Sequence, residues 1–253
     1  MNTDLAGKVI IITGAARGIG AAIAHHAAEC GVEALILTDR DPVIHMLPCP
    51  VEAVSTDLTN PDAPSLIAEA AKDRFQRIDG LVNAAGVTTR GDFSNADPAM
   101  WDQTIAINAR APFFLMSEAI ADMRARGEAG AIVNIQSMNA HAGAPDLAVY
   151  AASKGALQTL TKNAANTYMA DRIRVNGINL GWVATETERV LHEETFGKGK
   201  GWLAKEGAKQ PLGRLVSEAE AARLATFLLS DASAPLTGQS IDLEQWIVGA
   251  PPR

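Results

Sequence analysis

Close to its amino terminus the chain runs KVIIIT (8–13) straight into GAARGIG (14–20). A strand sends successive side chains to opposite faces. A run apolar at every position therefore needs cover on both sides, as in a parallel sheet sandwiched by helices. The pattern recurs in EALILTD (33–39), VEAVSTD (51–57), IDGLVNAAG (78–86), GAIVNIQS (130–137), IRVNGINLG (173–181) and GQSIDLE (238–244). Ala-rich helical stretches stand between them, near 18–30, 62–76, 98–126, 150–170 and 217–231, the last opening on Ser217 and Glu220 as a capping box.

This alternation predicts an α/β fold: a doubly wound, mostly parallel, Rossmann-like sheet of about seven strands with helices on both faces. The connection RDPVIHMLPCP (40–50) holds three prolines and predicts a turn or less where a helix would otherwise stand. No repeat or linker divides the chain, so residues 1–253 are expected to form a single domain. A net charge of -7 argues against nucleic acid as a partner. No window reaches the roughly 18 apolar residues of a membrane span. The first residues lack the basic start and apolar run of a signal peptide, and Cys30 and Cys49 are expected to be reduced in a cytoplasm. The five histidines show no zinc-ligand spacing, so no metal is expected.

Gly14, Gly18 and Gly20 sit in the first strand-to-helix turn, where backbone can approach a pyrophosphate closely and the helix start offers unpaired N–H groups. Asp39 ends the second strand 19 residues after Gly20, placed to accept from a ribose 2′-OH. That favours NAD, while Arg40 beside it leaves NADP as the alternative. Asp57, ending the third strand, is expected at the adenine edge.

Tyr150 and Lys154, in YAASK, lie one helical turn apart and so on one face. Together with TGAARGIG, NAAG (83–86), Asn108 in IAINARAPF and Ser137 in IVNIQS, in that order and spacing, they make the chain resemble the short-chain dehydrogenase/reductase family over nearly its whole length. The resemblance implies that Tyr150 is the catalytic acid/base and that Lys154 lowers its pKa and holds the nicotinamide ribose. It implies that Ser137 bonds the substrate oxygen and Asn108 holds a water in a proton relay. A free phenol titrates near pH ~10, and a neighbouring ammonium favours the phenolate. The implied cofactor contacts are Gly14, Arg17, Gly18, Ile19, Gly20, Asp39, Asp57, Leu58, Asn83, Ala84, Gly86, Tyr150, Lys154, Val183 and Thr185, with Asn83 also readable as structural. The resemblance further implies a homotetramer built through Ala-rich helices.

Two departures stand out. Leu180-Gly181 replaces the family's Pro-Gly, and Glu244, Gln245 and Trp246 stand where it commonly has small residues. The segment 185–214 occupies the position of the family's substrate lid. Ser137, Asn139, Tyr150 and Trp182 are expected to meet substrate, with His141 and Trp246 nearby. That mix of indole and polar groups suits a sugar or polyol. The expectation is thus an NAD-dependent dehydrogenase of secondary alcohols; the alternatives are an NADP-dependent carbonyl reductase and a non-catalytic NAD-sensing protein.

Overall fold

The computed structural model describes residues 3–249. In chain order the elements are β1 (Val9–Thr13), α1 (Gly18–Glu29), β2 (Ala34–Asp39), β3 (Val51–Ser55), α2 (Ala63–Phe75), β4 (Gly80–Asn83), α3 (Pro98–Ile105), α4 (Ala111–Arg126) and β5 (Gly130–Ser137). Then follow α5 (Ala148–Tyr168), β6 (Ile173–Leu180), α6 (Glu186–Val190), α7 (Trp202–Gly207), α8 (Glu218–Leu229) and β7 (Ser240–Leu243). The strands form one seven-stranded parallel sheet in the order β3-β2-β1-β4-β5-β6-β7. The order reverses between β1 and β4, which opens a crevice outside their carboxyl ends.

β1 shows why its sequence reads apolar throughout. Ile10 and Ile12 face Ile23, Ala24 and Ala27 of α1 and Ala221, Ala225 and Leu228 of α8. Val9 and Ile11 face the opposite layer, with Ile67 and Ala71 of α2, and Leu115, Ala119 and Met123 of α4. Both layers are fully buried, so each strand residue has a core to enter.

Two expectations about helices resolve differently. The connection 40–50 contains no helix, and Val43, Leu47 and Cys49 instead pack as coil against the α1 layer. The stretch 98–126 is broken: α3 and α4 are separated by a π-helical turn, Ala106–Arg110. A single wide turn of this kind shifts the side chains that follow it and often marks a functional position. Here it carries Asn108. The Ser217–Glu220 capping box at the start of α8 is present in both directions.

Candidate active site

The glycines of the first turn are required by their surroundings. Gly14 has φ +68°, and a Cβ there would lie 2.7 Å from the Ala85 Cα; one at Gly20 would overlap the Gly14 carbonyl. Gly18 has φ +61°. Thr13 Oγ1 accepts from the backbone N–H groups of Ala84 and Ala85, tying this turn to the end of β4. The result is a close backbone cradle at the start of α1, which fits a pyrophosphate group. Arg17 caps α1 in an extended conformation, and Ile19 packs against the core beneath.

Asp39 is braced beside that cradle. Its Oδ2 accepts from the Ala16 N–H at 3.0 Å and its Oδ1 from the Asp41 N–H at 3.1 Å. Arg17 forms an ion pair with Asp41 at 2.5 Å, and His45 Nε2 lies 2.7 Å from the Ala15 carbonyl. Asp41 and His45 were invisible in the sequence as site residues, because proline-rich coil carries no periodicity. Asp57 is exposed, with its carboxyl held below its ordinary pKa by hydrogen bonds to Thr59, and Leu58 beside it is buried. Asn83 is turned into the sheet, where its amide donates to Asn134 Oδ1 at 2.8 Å. This contact is the one expected of the structural reading of that residue.

At the other end of the crevice, Ser137 finishes β5 and Tyr150 and Lys154 follow on α5. Ser137 Oγ accepts from the Asn139 backbone at 3.1 Å and from its amide at 3.3 Å. Those bonds leave the hydroxyl proton free to donate. Ser137 and Thr88 both lie near enough to the Tyr150 hydroxyl to pull its pKa down. Thr88, two residues after Gly86, is a contact that sequence spacing alone did not single out.

Lys154 is 4% exposed and donates to the Ile135 carbonyl at 2.8 Å. Burial draws its pKa down to about 8. A Cβ on Gly86 would stand 3.3 Å from Asn108 Oδ1 and 3.4 Å from Lys154 Nζ, so these three residues converge. Asn108 is fully buried; its Oδ1 accepts from Val87 N–H at 2.9 Å, and its amide donates to the Val87 carbonyl and to Ser153. The π turn is what aims it there.

One expectation needs correction. In this geometry the Tyr150 pKa is raised, chiefly by burial; Ser137 and Thr88 pull the other way, and Glu188 adds to the rise. Lys154 does not reverse this, because its ammonium lies 5.8 Å from the ring centroid and is turned to Ile135.

The expected substrate contacts are more engaged than their sequence positions suggest. Asn139 Oδ1 closes a turn on the Ala144 N–H. The Trp182 indole donates to Glu188 Oε2 at 3.0 Å and packs edge-on against His192 and Trp202. Val183 is buried in an isolated bridge with Val216, and Thr185 caps α6 by accepting from the Glu188 N–H. His141 and Asn179 both meet Asp242 Oδ1, at 2.9 and 2.8 Å. Gly181 fits directly against Glu244, while Gln245 and Trp246 bond Leu212, Arg214 and Gln210. The unusual tail therefore braces the segment 210–214. Among the described residues no cluster of His, Cys, Asp and Glu could hold a metal ion.

Residues 14–245 match the family model described as Enoyl-(Acyl carrier protein) reductase. The chain is 33% identical over 244 residues to gluconate 5-dehydrogenase of Gluconobacter oxydans (strain 621H), covering 93% of each. It is 33% identical over 247 residues to L-xylulose reductase of Bos taurus, covering 96% of this chain and 98% of that one. The solved structure of L-sorbose reductase from Gluconobacter frateurii, complexed with NADPH and L-sorbose, superposes with a TM-score of 0.90 at 28% identity, over 99% of this chain and 100% of that chain. Similarity of this extent, together with the glycine cradle and the Ser137–Tyr150–Lys154 cluster, means that the chain belongs to the short-chain dehydrogenase/reductase family, as an oxidoreductase acting on CH–OH groups.

Proposed function

We propose that this protein is an NAD-dependent dehydrogenase of secondary alcohols, with a sugar or polyol as substrate and Tyr150 as the acid/base. The observation that carries this reading is the convergence of Ser137, Tyr150, Lys154 and Gly86 at the carboxyl edge that also holds the glycine cradle. A bound nicotinamide supplies the hydride acceptor for alcohol oxidation and the donor for carbonyl reduction. Ser137 donates its free hydroxyl proton to the substrate oxygen and orients it. Tyr150 takes the hydroxyl proton as the carbinol carbon loses hydride, and returns it in the reverse direction. Lys154, positively charged over most of the population at neutral pH, binds the ribose beside Gly86. Asn108 orders a water that passes the proton to solvent.

NAD is favoured over NADP by charge. Asp39 and Asp41 flank the cradle, and Arg17, the cation nearest them, is already paired with Asp41. A 2′-phosphate would meet two carboxylates, with the Arg17 guanidinium neutralised by one of them and Arg40 the remaining cation. The second reading, NADP dependence, rests on Arg17 and Arg40 at that corner and on the NADPH carried by the L-sorbose reductase.

The chain works as a single domain with residues 185–214 as its substrate lid. Gly197, Gly199 and Gly201 support this, since each takes a left-handed φ that lets the segment bend. A homotetramer is supported by Phe113 and Phe114, large apolar side chains left about half-exposed on α4. A cytoplasmic site is supported by two free cysteines. No helix among the described residues is long and apolar enough to cross a membrane. The test is initial-rate kinetics on a panel of polyols and sugars with each dinucleotide. The expected result is a kcat/KM at least tenfold higher with NAD; equal rates, or a preference for NADP, would remove the charge argument.

A further inference from the structure

Glu188 is bonded to the segment that leaves the carboxyl end of β6. β5 ends at Ser137, whose cross-strand neighbour is Leu180, the last residue of β6. The chain leaves β6 through Gly181 to Trp182, and the Trp182 indole holds Glu188 at 3.0 Å. That bond ties α6 to the carboxyl end of β6, beside the end of β5 that carries Ser137, and the Glu188 charge raises the Tyr150 pKa.

Among the described residues no Lys or Arg forms an ion pair with this carboxylate. Its one ion-pair partner among the described residues is His192, with Nε2 at 3.3 Å. His192 is 2% exposed and stacked on Trp202 with ring centroids 3.9 Å apart. Burial and Lys198 hold its pKa below the ordinary imidazole value. The Lys198 ammonium, 3.0 Å from Nδ1, can only donate, so Nδ1 accepts and the neutral ring carries its proton on Nε2, facing Glu188. Neighbouring cations are engaged elsewhere, Arg189 with Glu186 and Glu193. Arg90 pairs with Asp146 and lies over Phe196. Lys198 sits on the far side of the imidazole, over Trp202. Lys154 is buried against Ile135.

Building on the oxidoreductase reading above, we infer that Glu188 is a specificity-determining residue, which makes the site selective for uncharged polyols and ketoses over substrates bearing a carboxylate. The relatives span this choice: several are named for carboxylates, gluconate and hydroxycyclohexanecarboxylate among them, and others for L-xylulose and L-sorbose, which carry no charge. Two like charges about 6 Å apart, at an effective dielectric near 20, repel enough to cost an anionic substrate roughly a hundredfold in binding. Partial exposure of Glu188, whose side chain is 22% accessible, lowers that to between about ten- and a hundredfold. Its oxygens also accept hydrogen bonds from hydroxyl groups, which an uncharged polyol supplies.

The test uses substrate pairs that differ by a carboxylate: a hexitol against its aldonate, and cyclohexanol against 4-hydroxycyclohexanecarboxylate. Each is assayed with whichever dinucleotide the wild-type enzyme turns over. The wild-type kcat/KM should favour the uncharged member by about tenfold or more, and added salt should narrow the ratio by screening. Glu188→Gln retains an oxygen acceptor for the Trp182 indole, and it should lower the ratio at least about fivefold through a gain on the anion. A wild-type preference for the carboxylate, or a ratio unmoved in an E188Q protein with an unchanged melting temperature, overturns the assignment. If E188Q does not fold, the wild-type salt series decides, and a flat ratio overturns it. Failure to turn over any alcohol with either dinucleotide would strike instead at the oxidoreductase reading beneath.

Discussion

Lys154 is an ammonium held away from water with one carbonyl for a partner. Its folded pKa of about 8 lies below the ordinary lysine value near ~10.4. Between those values the unfolded chain binds more protons than the folded one, so stability rises with pH across that window. A Lys154→Met protein lacks this contribution. From pH 8 to about pH 10.5 the wild type should gain stability relative to it by roughly 2–3 kcal/mol, read from urea unfolding at a series of pH values. A difference independent of pH would mean that the lysine is not desolvated. Residues such as Gly14, Gly20, Ser137, Tyr150 and Lys154 were legible in the sequence because their chemistry lies in local spacing. Thr88, Asp41, Glu188 and His192 were not, because each matters through a partner or a fold contact that no local pattern encodes. Tyr150 was legible as a residue but not in its electrostatics, since burial, which sequence does not report, sets the direction of its shift.

The elements were readable where a period or a cap marked them. The Ser217–Glu220 box announced α8, and three prolines announced the missing helix before β3. The π turn at Ala106–Arg110 carried no such mark, and 98–126 read as one uninterrupted helix. The turn is held by Asn108, which bonds both the N–H and the carbonyl of Val87 and reaches Ser153. Asn108→Ala would leave two part-buried Val87 backbone groups without this partner. The expected cost is about 2–4 kcal/mol in urea unfolding, with turnover reduced as well. A loss below about 0.5 kcal/mol would show that the π turn does not depend on this amide. The segment 185–214 was legible as a charged, glycine-containing stretch, but not its packing: the Trp182–His192–Trp202 cluster joins residues on three separate segments.

At the scale of the whole molecule, the sheet gathers distant parts of the chain along one edge. Gly14 after β1, Gly86 after β4, Ser137 at the end of β5 and Trp182 after β6 all stand at carboxyl ends of parallel strands. Parallel strands and the reversal between β1 and β4 make that edge the place for a dinucleotide and a substrate together. The alternation of strands and helices made this architecture legible, whereas the bracing of 210–214 by the tail depends on tertiary contacts alone. The central claim, that the Tyr150 hydroxyl moves the substrate proton, is tested most directly by Tyr150→Phe, assayed in parallel for dinucleotide binding by fluorescence titration and for turnover. The account predicts binding within about threefold of wild type and turnover reduced by about a thousandfold or more. Turnover near the wild-type rate, with binding intact, would contradict it.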